Sequence, residues 1–427
     1  MLKLGCIADD FGDGRELACL LVAGGMQVVQ TVGVPRGPLE GEADAAVVSI
    51  KTRHGSPRDA VVRALDALVW LKTQGARQFY FCFSPTFDSL FTGDERGNIG
   101  PVIEALMNAL GTDFTVVVPA FPDRQYAMLK GYLFAGPVLL QESAMAHDPD
   151  TPMTDANLVR VLQAQTRHQV SLVDHVTVNA GSVAIQERLV ELRLSELSVA
   201  LVDAATNDNL LHIAQATKNM PLLSGSPGLG VALAGNFDIE PSADTGKLPR
   251  AGGLRAVICG SCSEASARQV QHFHAAGHPA MALDPMKIAK FGPDKVTQAV
   301  MTWAQTLLPQ GPVLLYTTAD EASVAAVNQL LGSEHTQATV DQCLAQIAAA
   351  LVQLGVRQLI ISGHDTGQAC LRGLGIRQVQ VGPQIEAGLP WCYSASSPQA
   401  PEGLHIALKP GGRGTDDFFI RAFDWTR

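Results

Sequence analysis

The sequence lacks long hydrophobic runs, and nowhere does it cluster basic residues. Its 427 residues include only 17% charged residues and carry a formal net charge of −10. The longest apolar runs, such as VRQLIIS and GPVLLY, are far shorter than the ~20 residues of a transmembrane helix. The opening MLKLGCIADD turns acidic too early for a secretory signal. Because phosphate backbones bind clustered Lys and Arg, we expect neither nucleic acid nor a membrane as a partner.

Metal-binding and disulfide patterns are also missing. Eight cysteines are scattered, mostly through apolar segments, which indicates buried thiols in a reducing cytoplasm. Cys259 and Cys262 form one C-x-x-C without a second pair, so zinc is not favoured, and redox chemistry is the weaker alternative. His272 and His274 would point about 200° apart on a helix, which favours a solvated helix face. We predict no protein-held metal site.

What the chain does contain is hydrophobic residues (47%), 40 glycines and 24 prolines. Short apolar strands such as KLGCIA, AAVVSI, QFYFCF and FTVVVP alternate with amphipathic helices such as PRDAVVRALDALVWLKTQG and GPVIEALMNALG. A second series, from RAVICGS to QVQVG, follows a stretch rich in Pro, Gly and polar residues. The pattern predicts an α/β protein of two domains, each a mostly parallel sheet flanked by helices, with a ligand cleft between them. The predicted ranges are 1–240, a linker at 241–254, and 255–427.

Polar clusters in the first domain follow predicted strands, where open parallel sheets bind ligands. Asp9 and Asp10 end the first strand; the alternative is that one caps the next helix while the other is solvated. Lys51 and Arg53 would share one side of an extended strand, where they can clamp a carboxylate, unless they are plain surface charge. A further group of candidates follows the strand QFYFCF: Thr86, Asp88, Ser89 and Asn98.

Asp88 can act as a general base toward a substrate hydroxyl, or it can simply order a turn. Asn98 stands between Gly97 and Gly100, just before a helix whose amino-terminal N–H groups can bind an anion.

Three loops of the second domain are rich in glycine and hydroxyl groups. Ser261 and Ser263 lie between a strand and a helix, although Ser263 could be only the helix start. Loop 362–367, SGHDTG, repeats this arrangement, and LKPGGRG at 408–414 adds a third glycine-rich loop. Such loops hold phosphates through backbone N–H groups and helix dipoles. The candidates for this role are Ser261, Ser263, Gly363, His364, Asp365, Thr366, Gly367, Gly411 and Gly412.

Two familiar nucleotide motifs are absent. No G-x-x-x-x-G-K-[ST] occurs, which excludes a P-loop. Gly12 and Gly14 form a G-x-G after the first strand, but the third glycine and the ribose-binding acid are missing. A dinucleotide site, and with it a dehydrogenase, is therefore disfavoured.

Ordered motifs nearly from end to end resemble the four-carbon acid sugar kinases, a family that includes the 3-oxo-tetronate and D-threonate kinases and was long known only as a domain of unknown function. The matching stretches are IADDF at 7–11, KTR at 51–53, TFDS at 86–89, GNIGPV at 97–102, VPAFP at 118–122, TPMTDANLVR at 151–160, GSCS at 260–263, GLP at 388–390, IALK at 406–409 and DFF at 417–419.

The resemblance implies an N-terminal domain that binds the acid sugar and a C-terminal domain that binds ATP with Mg²⁺, with phosphate moved to a terminal hydroxyl. It implies catalytic roles for Asp10 and Asp88, and substrate contacts from Asp9, Lys51, Arg53, Thr86, Ser89 and Asn98. The glycine- and serine-containing loops of the second domain would then bind the nucleotide. A cytoplasmic homodimer is the expected form.

Four loops depart from the family pattern. Gly12-Asp13-Gly14 replaces Thr-Gly-Ala, and DRQY at 123–126 replaces Asn-Gly-Arg-Thr. SGHDTG replaces Gly-Gly-Glu-Thr-Ser-Gly, and PGGRG replaces Ser-Gly-Asn-Phe-Gly. Two hypotheses follow: a kinase retuned for another acid, in which Asp365 replaces the lost glutamate beside the metal, or an acid-binding protein without phosphoryl transfer.

Overall fold

The computed structural model describes residues 2–89, 97–148, 151–317 and 333–426. The chain divides into two compact units, Met1–Gly246 and Lys247–Arg427, which we call the N-terminal and C-terminal units.

The N-terminal unit is built on an eight-stranded sheet in the order β2-β3-β1-β4-β11-β5-β10-β9. Every neighbouring pair in it is parallel. The strands are β1 (Leu4–Ala8), β2 (Val28–Val32), β3 (Ala45–Ser49), β4 (Gln78–Cys82), β5 (Thr115–Val118), β9 (Val170–Val173), β10 (Val199–Val202) and β11 (Leu222–Gly225). A small antiparallel sheet consists of β6 (Tyr126–Leu129), β7 (Tyr132–Ala135) and β8 (Val138–Leu139). The α-helices are α1 (Phe11–Ala23), α2 (Pro57–Thr73), α3 (Ile99–Leu110), α4 (Leu158–Gln163), α5 (His175–Asn179), α6 (Ser182–Leu194), α7 (Asn207–Ala216) and α8 (Gly230–Leu233).

The C-terminal unit has a mixed sheet in the order β13-β14-β12-β15-β18-β17-β16. Its first five strands are parallel, and β17 runs antiparallel to both of its neighbours. The strands are β12 (Leu254–Cys259), β13 (Ala280–Ala282), β14 (Val313–Tyr316), β15 (Val356–Ser362), β16 (Gln378–Glu386), β17 (Leu389–Ser394) and β18 (Leu404–Lys409). The helices are α9 (Glu264–Ala275), α10 (Pro285–Phe291), α11 (Pro293–Leu307), α12 (Ser333–Gln353), α13 (His364–Gly373) and α14 (Phe418–Arg421).

Helices begin where the sequence supplies capping side chains. Asp10 caps α1, Ser56 caps α2 ahead of Pro57, and Thr206 begins α7 in a reciprocal capping box with Asn209. Each cap satisfies N–H groups that a helix leaves unpaired at its start. These caps fix where each helix begins relative to the strand before it.

The cores follow from strand burial. Every residue of β1, β3 and β4 is buried, as expected for strands covered on both faces of a parallel sheet. In the C-terminal unit, Trp391 on β17 packs in an aromatic core with Phe418, Phe419 and Phe423. Its indole N–H donates to Ala422 O at 2.8 Å, so the ring is buried without an unmet donor.

The predicted α/β fold class, with two largely parallel sheets, is confirmed. The alternating pattern did not predict β6 to β9, β11, β17 or β18. Helix α1 begins at Phe11, directly after its capping residue Asp10, so Asp13 lies in its first turn. No helix in the described ranges is long and apolar enough to cross a bilayer. The cleft between the domains stays a prediction.

Candidate active site

The polar residues predicted in the first domain gather at one edge of its sheet. Strands β3, β1 and β4 are parallel neighbours, so their carboxyl ends lie side by side. The β1–α1 turn brings Asp9 and Asp10, the turn after β3 brings Arg53, and the loop after β4 brings Asp88. We call this set the N-terminal edge.

Arg53 is the centre of the N-terminal edge. Its Nη2 lies 3.0 Å from Asp9 Oδ1 and also contacts Asp13 Oδ2, and its Nε lies 3.9 Å from Asp88 Oδ2. The Arg53 side chain is 17% exposed, against 2% for Asp9. Its Nη1 makes no hydrogen bond with the described residues. The guanidinium therefore joins several carboxylates and keeps one donor group for something else.

Burial shifts the pKa values of this cluster. Loss of solvation raises the pKa of Asp9 to about 7, although the charge and hydrogen bonds of Arg53 oppose the shift. Burial likewise raises the pKa of Asp13, again against Arg53. Burial by itself lowers the pKa of Arg53, but Asp9 and then Asp13 raise it well above its ordinary value. The edge is thus a set of acids grouped around one permanent cation.

Backbone geometry, not an extended strand, sets the position of Arg53. The predicted pairing of Lys51 and Arg53 on one side of a strand is wrong, because β3 already ends at Ser49. Lys51 is exposed and has a left-handed φ of 49°. Asn98 is 2% exposed. Its Nδ2 donates hydrogen bonds to Thr52 O, Arg53 O and Gly55 O at 2.8, 3.1 and 3.0 Å. Asn98 therefore holds the 52–55 turn in place from inside the protein.

Asp10 serves as a helix cap. Its Oδ1 accepts from Gly12 N at 2.6 Å and Asp13 N at 3.4 Å, so the capping alternative describes this carboxylate. The other half of that alternative, a solvated second acid, is wrong because Asp9 is 1% exposed.

Asp88 lies in a buried hydroxyl chain. Its Oδ1 accepts from Thr86 Oγ1, which lies 2.6 Å from Ser84 Oγ. Ser89 is also buried, and a Cβ at Gly97 would lie 2.4 Å from Ser89 Oγ. These contacts fix Asp88 beside Arg53, which is its one cationic partner among the described residues.

The three glycine-containing loops of the second domain also meet at one edge, which we call the C-terminal edge. β12, β15 and β18 are parallel neighbours. Gly260 N donates to Ser362 O and Gly363 N to Lys409 O, both at 2.9 Å. A Cβ at Gly411 would lie 2.0 Å from Ser261 Oγ, so glycine is required for this close approach.

Two helices begin at the C-terminal edge, and they begin differently. Ser263 caps α9 by accepting from Ser266 N at 3.2 Å. Helix α13 starts after Gly363, which has φ 120° and provides no side-chain cap. The first N–H groups of α13 are therefore not satisfied by a capping side chain, as suits an anion-binding helix start.

The side chains of loop 362–367 face different ways. His364 and Asp365 are exposed at the start of α13. Thr366 was expected to contact the nucleotide, but its side chain is 2% exposed and donates to Asp341 Oδ1 at 3.1 Å, so it braces the loop from within. Gly367 is buried in α13, and Gly412 is exposed.

Sequence reasoning missed the structural role of Lys409. Its side chain is 1% exposed, and Nζ donates to Pro410 O, Gly411 O and Arg413 O at 3.0, 3.0 and 2.9 Å. Burial lowers the pKa of Lys409 to about 8, opposed by Cys259 and Glu386. The signal in the sequence was a lysine ending an apolar strand directly before a glycine-rich turn.

A second missed pair lies near the N-terminal edge. Arg124, in the turn after β5, donates Nε to Glu16 Oε1 at 2.6 Å. Glu16 stands three residues after Asp13 on α1, so it lies on the same helix face. This pair adds a second guanidinium to the carboxyl ends of the sheet.

Metal-holding geometry was tested on the same residues. Across the described ranges, no group of three or more His, Cys, Asp or Glu side chains is placed to hold a metal ion. His272 and His274 are exposed on α9. The exposed Asp365 at the start of α13 is the carboxylate of the C-terminal edge that fits a Mg²⁺ carried by nucleotide phosphates, since Mg²⁺ commonly takes only one or two protein carboxylates.

Comparisons with known proteins match a different family model to each half of the chain. A family model described as a sugar-binding N-terminal domain matches residues 4–233, and one described as a nucleotide-binding C-terminal domain matches 256–419. The chain is 40% identical to a 3-oxo-tetronate kinase of Burkholderia multivorans over 98% of this chain and 96% of that protein. It is also 40% identical to a 3-oxo-tetronate kinase of Cupriavidus necator, with the same coverage.

A solved structure is similar to this chain in both fold and sequence. A Haemophilus influenzae protein described as a domain of unknown function matches with a TM-score of 0.88 and 33% identity, over 99% of this chain and 100% of that one. Both family models and the full-length relatives point the same way, so the chain belongs to the four-carbon acid sugar kinase family.

Proposed function

We propose that the protein is an ATP-dependent kinase that phosphorylates a terminal hydroxyl of a four-carbon sugar acid of the 3-oxo-tetronate or threonate type. The relatives named 3-oxo-tetronate kinase match nearly the whole chain, which supports this reaction. The alternative is a protein that binds a small carboxylic acid without phosphoryl transfer. The two differ in whether the C-terminal edge binds ATP.

The C-terminal edge is the observation that carries the kinase proposal. The start of α13, which has no side-chain cap, the Ser261 hydroxyl and the Gly411 backbone directly follow three adjacent strands. Lys409 donates to three carbonyls of the 410–413 turn, which fixes the backbone of this turn. Backbone N–H groups and helix dipoles hold triphosphates without large basic patches, which fits a chain of net charge −10.

The N-terminal edge supplies the groups that an acid sugar needs. Arg53 Nη1 has no partner among the described residues and can donate to the substrate carboxylate. Asp9 and Asp13 hold the rest of the guanidinium in place, and Asp13, whose side chain is partly exposed, can accept from a sugar hydroxyl. We therefore assign carboxylate binding to Arg53 and leave Lys51, which is exposed, as an outer contact of the same ligand.

We assign the proton transfer to Asp88 instead of Asp10, because Asp10 Oδ1 is occupied by the N–H groups of α1. The substrate oxygen forms a bond to the γ-phosphorus while the bond from that phosphorus to the β–γ bridging oxygen breaks, and ADP leaves. The hydroxyl proton passes to the Asp88 carboxylate. Mg²⁺ carried with ATP supplies charge neutralisation on the phosphates, and Asp365 is the residue that would face it.

The test measures ADP release with ATP·Mg²⁺ and a panel of four-carbon acids, alongside thermal shift with each ligand alone. A kinase is stabilised by both ligands and releases ADP only with a matching acid. Stabilisation by acids without any ATP shift or ADP release would replace the kinase by the acid-binding alternative.

The form of the protein in the cell is part of the proposal. All eight cysteines are free and only Cys262 is exposed, which supports a reducing cytoplasm. The homodimer rests on the frequency of twofold assemblies among enzymes. Light scattering coupled to size exclusion tests it, with a mass near 45.2 kDa for the monomer and twice that for the dimer.

A further inference from the structure

A polar cavity lies at the end of the C-terminal unit's sheet opposite to the C-terminal edge. It has a volume of about 370 Å³ and is lined by Arg250, Arg357, Tyr393, Glu402, Gly403 and His405, with further glycines. These residues stand just before β12, at the starts of β15 and β18, and near the end of β17. Strand β15 is seven residues long, which separates the cavity from loop 362–367 by about 20 Å. The cavity is thus distinct from the candidate nucleotide site.

The strand ends bring an unusual share of positive charge to this cavity. Arg250 is exposed and has no ion-pair partner among the described residues. Burial lowers the pKa of His405, opposed by its bond to Pro249 O, so the imidazole is neutral near pH 7. With Glu402 as its one carboxylate, the lining carries two guanidinium charges against one acid, in a chain of net charge −10.

Arg357 is fixed at the cavity wall, and its Nη2 has only a long contact to Glu402. Its Nη1 donates to Val352 O and Val356 O at 2.8 and 2.9 Å, which fixes the guanidinium plane. Its Nη2 lies 3.4 Å from Glu402 Oε2, longer than the 2.7–2.9 Å of a strong charge-assisted bond. The Glu402 side chain is 79% exposed, so this pair contributes little and can be exchanged. An incoming oxyanion can therefore replace Glu402 at Nη2.

The segment that carries Arg250 is anchored to the same wall. His405 Nε2 lies 2.9 Å from Pro249 O, and Gln358 Nε2 donates to Gly252 O at 3.2 Å. A Cβ at Gly253, which has φ 69°, would lie 2.6 Å from Arg357 Cγ. These contacts hold the backbone on both sides of Arg250 against β15 and β18. The Cα of Arg250 is therefore fixed beside the cavity.

We propose that this cavity binds a small anionic metabolite through a phosphate ester or carboxylate group held between Arg250 and Arg357. The tilted ring pair of Tyr393 and His405, with centroids 4.8 Å apart, forms the adjoining wall. The volume suits a ligand of sugar-phosphate or di- to tricarboxylate size. The site is independent of the kinase proposal, because none of its residues belongs to the N-terminal edge or the C-terminal edge.

The experiment is calorimetric titration of the full chain with inorganic phosphate and, separately, with succinate, at constant ionic strength. Arg250→Met removes one guanidinium and weakens binding at this site by about tenfold or more. Glu402→Gln removes the competing carboxylate and tightens binding about two- to fivefold. Arg188→Met, an exposed arginine of α6 in the other unit, is the matched control and leaves affinity unchanged.

The opposite signs of the two cavity variants separate this site from other anion sites on the chain. Binding of phosphate alone identifies a phosphate ester as the ligand class, and binding of succinate alone identifies a carboxylate. Wild-type affinity in Arg250→Met, an equal loss in Arg188→Met, weaker binding in Glu402→Gln, or no binding of either anion would overturn the proposal.

Discussion

The N-terminal edge and the C-terminal edge are both formed by loops at the carboxyl ends of parallel strands, but they differ in charge. The N-terminal edge gathers Asp9, Asp13 and Asp88 around Arg53, and burial raises the pKa values of Asp9 and Asp13. The C-terminal edge is lined by hydroxyls and glycine backbone, and its buried cation, Lys409, donates hydrogen bonds to three carbonyls of its own turn. In the proposed function, one edge binds its ligand through titratable side chains and the other through fixed backbone dipoles.

This difference matches what each ligand requires. A sugar acid must be oriented through its carboxylate and hydroxyls. One of these hydroxyls must also lose a proton, which requires a side chain that can accept a proton. A triphosphate already carries its charge and needs only aligned N–H groups and a cation brought with it. Substitutions that exchange these properties should therefore have different effects at the two edges.

The largest expected effect is at Asp88. Asp88→Asn keeps the side-chain size but cannot accept the hydroxyl proton, so we expect kcat to fall by about 10²- to 10⁴-fold while KM for ATP changes little. Steady-state kinetics of ADP release measure both constants. Asp10→Ser is the matched control, since serine keeps the helix cap, and it should retain activity. A large loss in Asp10→Ser with activity kept in Asp88→Asn would reverse the two roles.

The next effect is at the glycine turn. Gly411→Ala places a Cβ 2.0 Å from Ser261 Oγ, so the turn must move away from the serine. We expect KM for ATP to rise about tenfold, by analogy with the loss of one well-placed donor, with KM for the acid unchanged. Gly412→Ala is the control, because no atom lies within 4 Å of its added Cβ. Equal kinetics for the two variants would remove the turn from the nucleotide site.

A smaller effect concerns pH. The pKa of Asp9 is raised to about 7, chiefly by burial, so the folded state holds a proton that the unfolded state releases near pH 4. This contribution to stability is complete below about pH 4 and is lost as pH rises through 7. Asp9→Asn abolishes the titration. Its stability relative to wild type should therefore rise between pH 5 and pH 8, on the order of 2 kcal/mol.

Thermal melting at both pH values and constant ionic strength measures this difference. If the relative stability of Asp9→Asn fell with rising pH, the Arg53 pair would outweigh burial and the assignment of the shift would be wrong.

The smallest expected effect is at the cap of α1. Asp10→Ala removes the acceptor for Gly12 N and should cost about 1 kcal/mol, or a few degrees in Tm. Asp10→Ser should restore most of this loss. Calorimetry on both variants checks the order. No loss in Asp10→Ala would show that water satisfies these N–H groups equally well.

The sequence predicted the alternating strands and helices well because each carries its own period and its own caps. Pro390 within β17 disguised that strand, since proline argues against a central strand. Arg53 was found, but its partners were not, because Asp13 and Asp88 lie 40 and 35 positions away in the chain and meet only through sheet pairing. The exposed Lys51 was misplaced because the end of β3 at Ser49 has no marker in the sequence.

Lys409 and Thr366 show the same limit. Their residue types suit ligand contact, and only three-dimensional burial reveals that one holds carbonyls and the other a buried carboxylate. Motif and spacing thus found residues that gather at both edges, while only the coordinates show which of them are exposed and which are buried supports.

The carboxamide of Asn98 has a consequence for how the acid cluster responds to protons. The Asn98 carboxamide does not titrate. Its hydrogen bonds to the carbonyls of Thr52, Arg53 and Gly55 are therefore the same at low and at high pH. Protons can therefore enter or leave Asp9 and Asp13 while the main chain that bears Arg53 stays still. Changes of pH alter the electrical character of this edge and leave its shape intact.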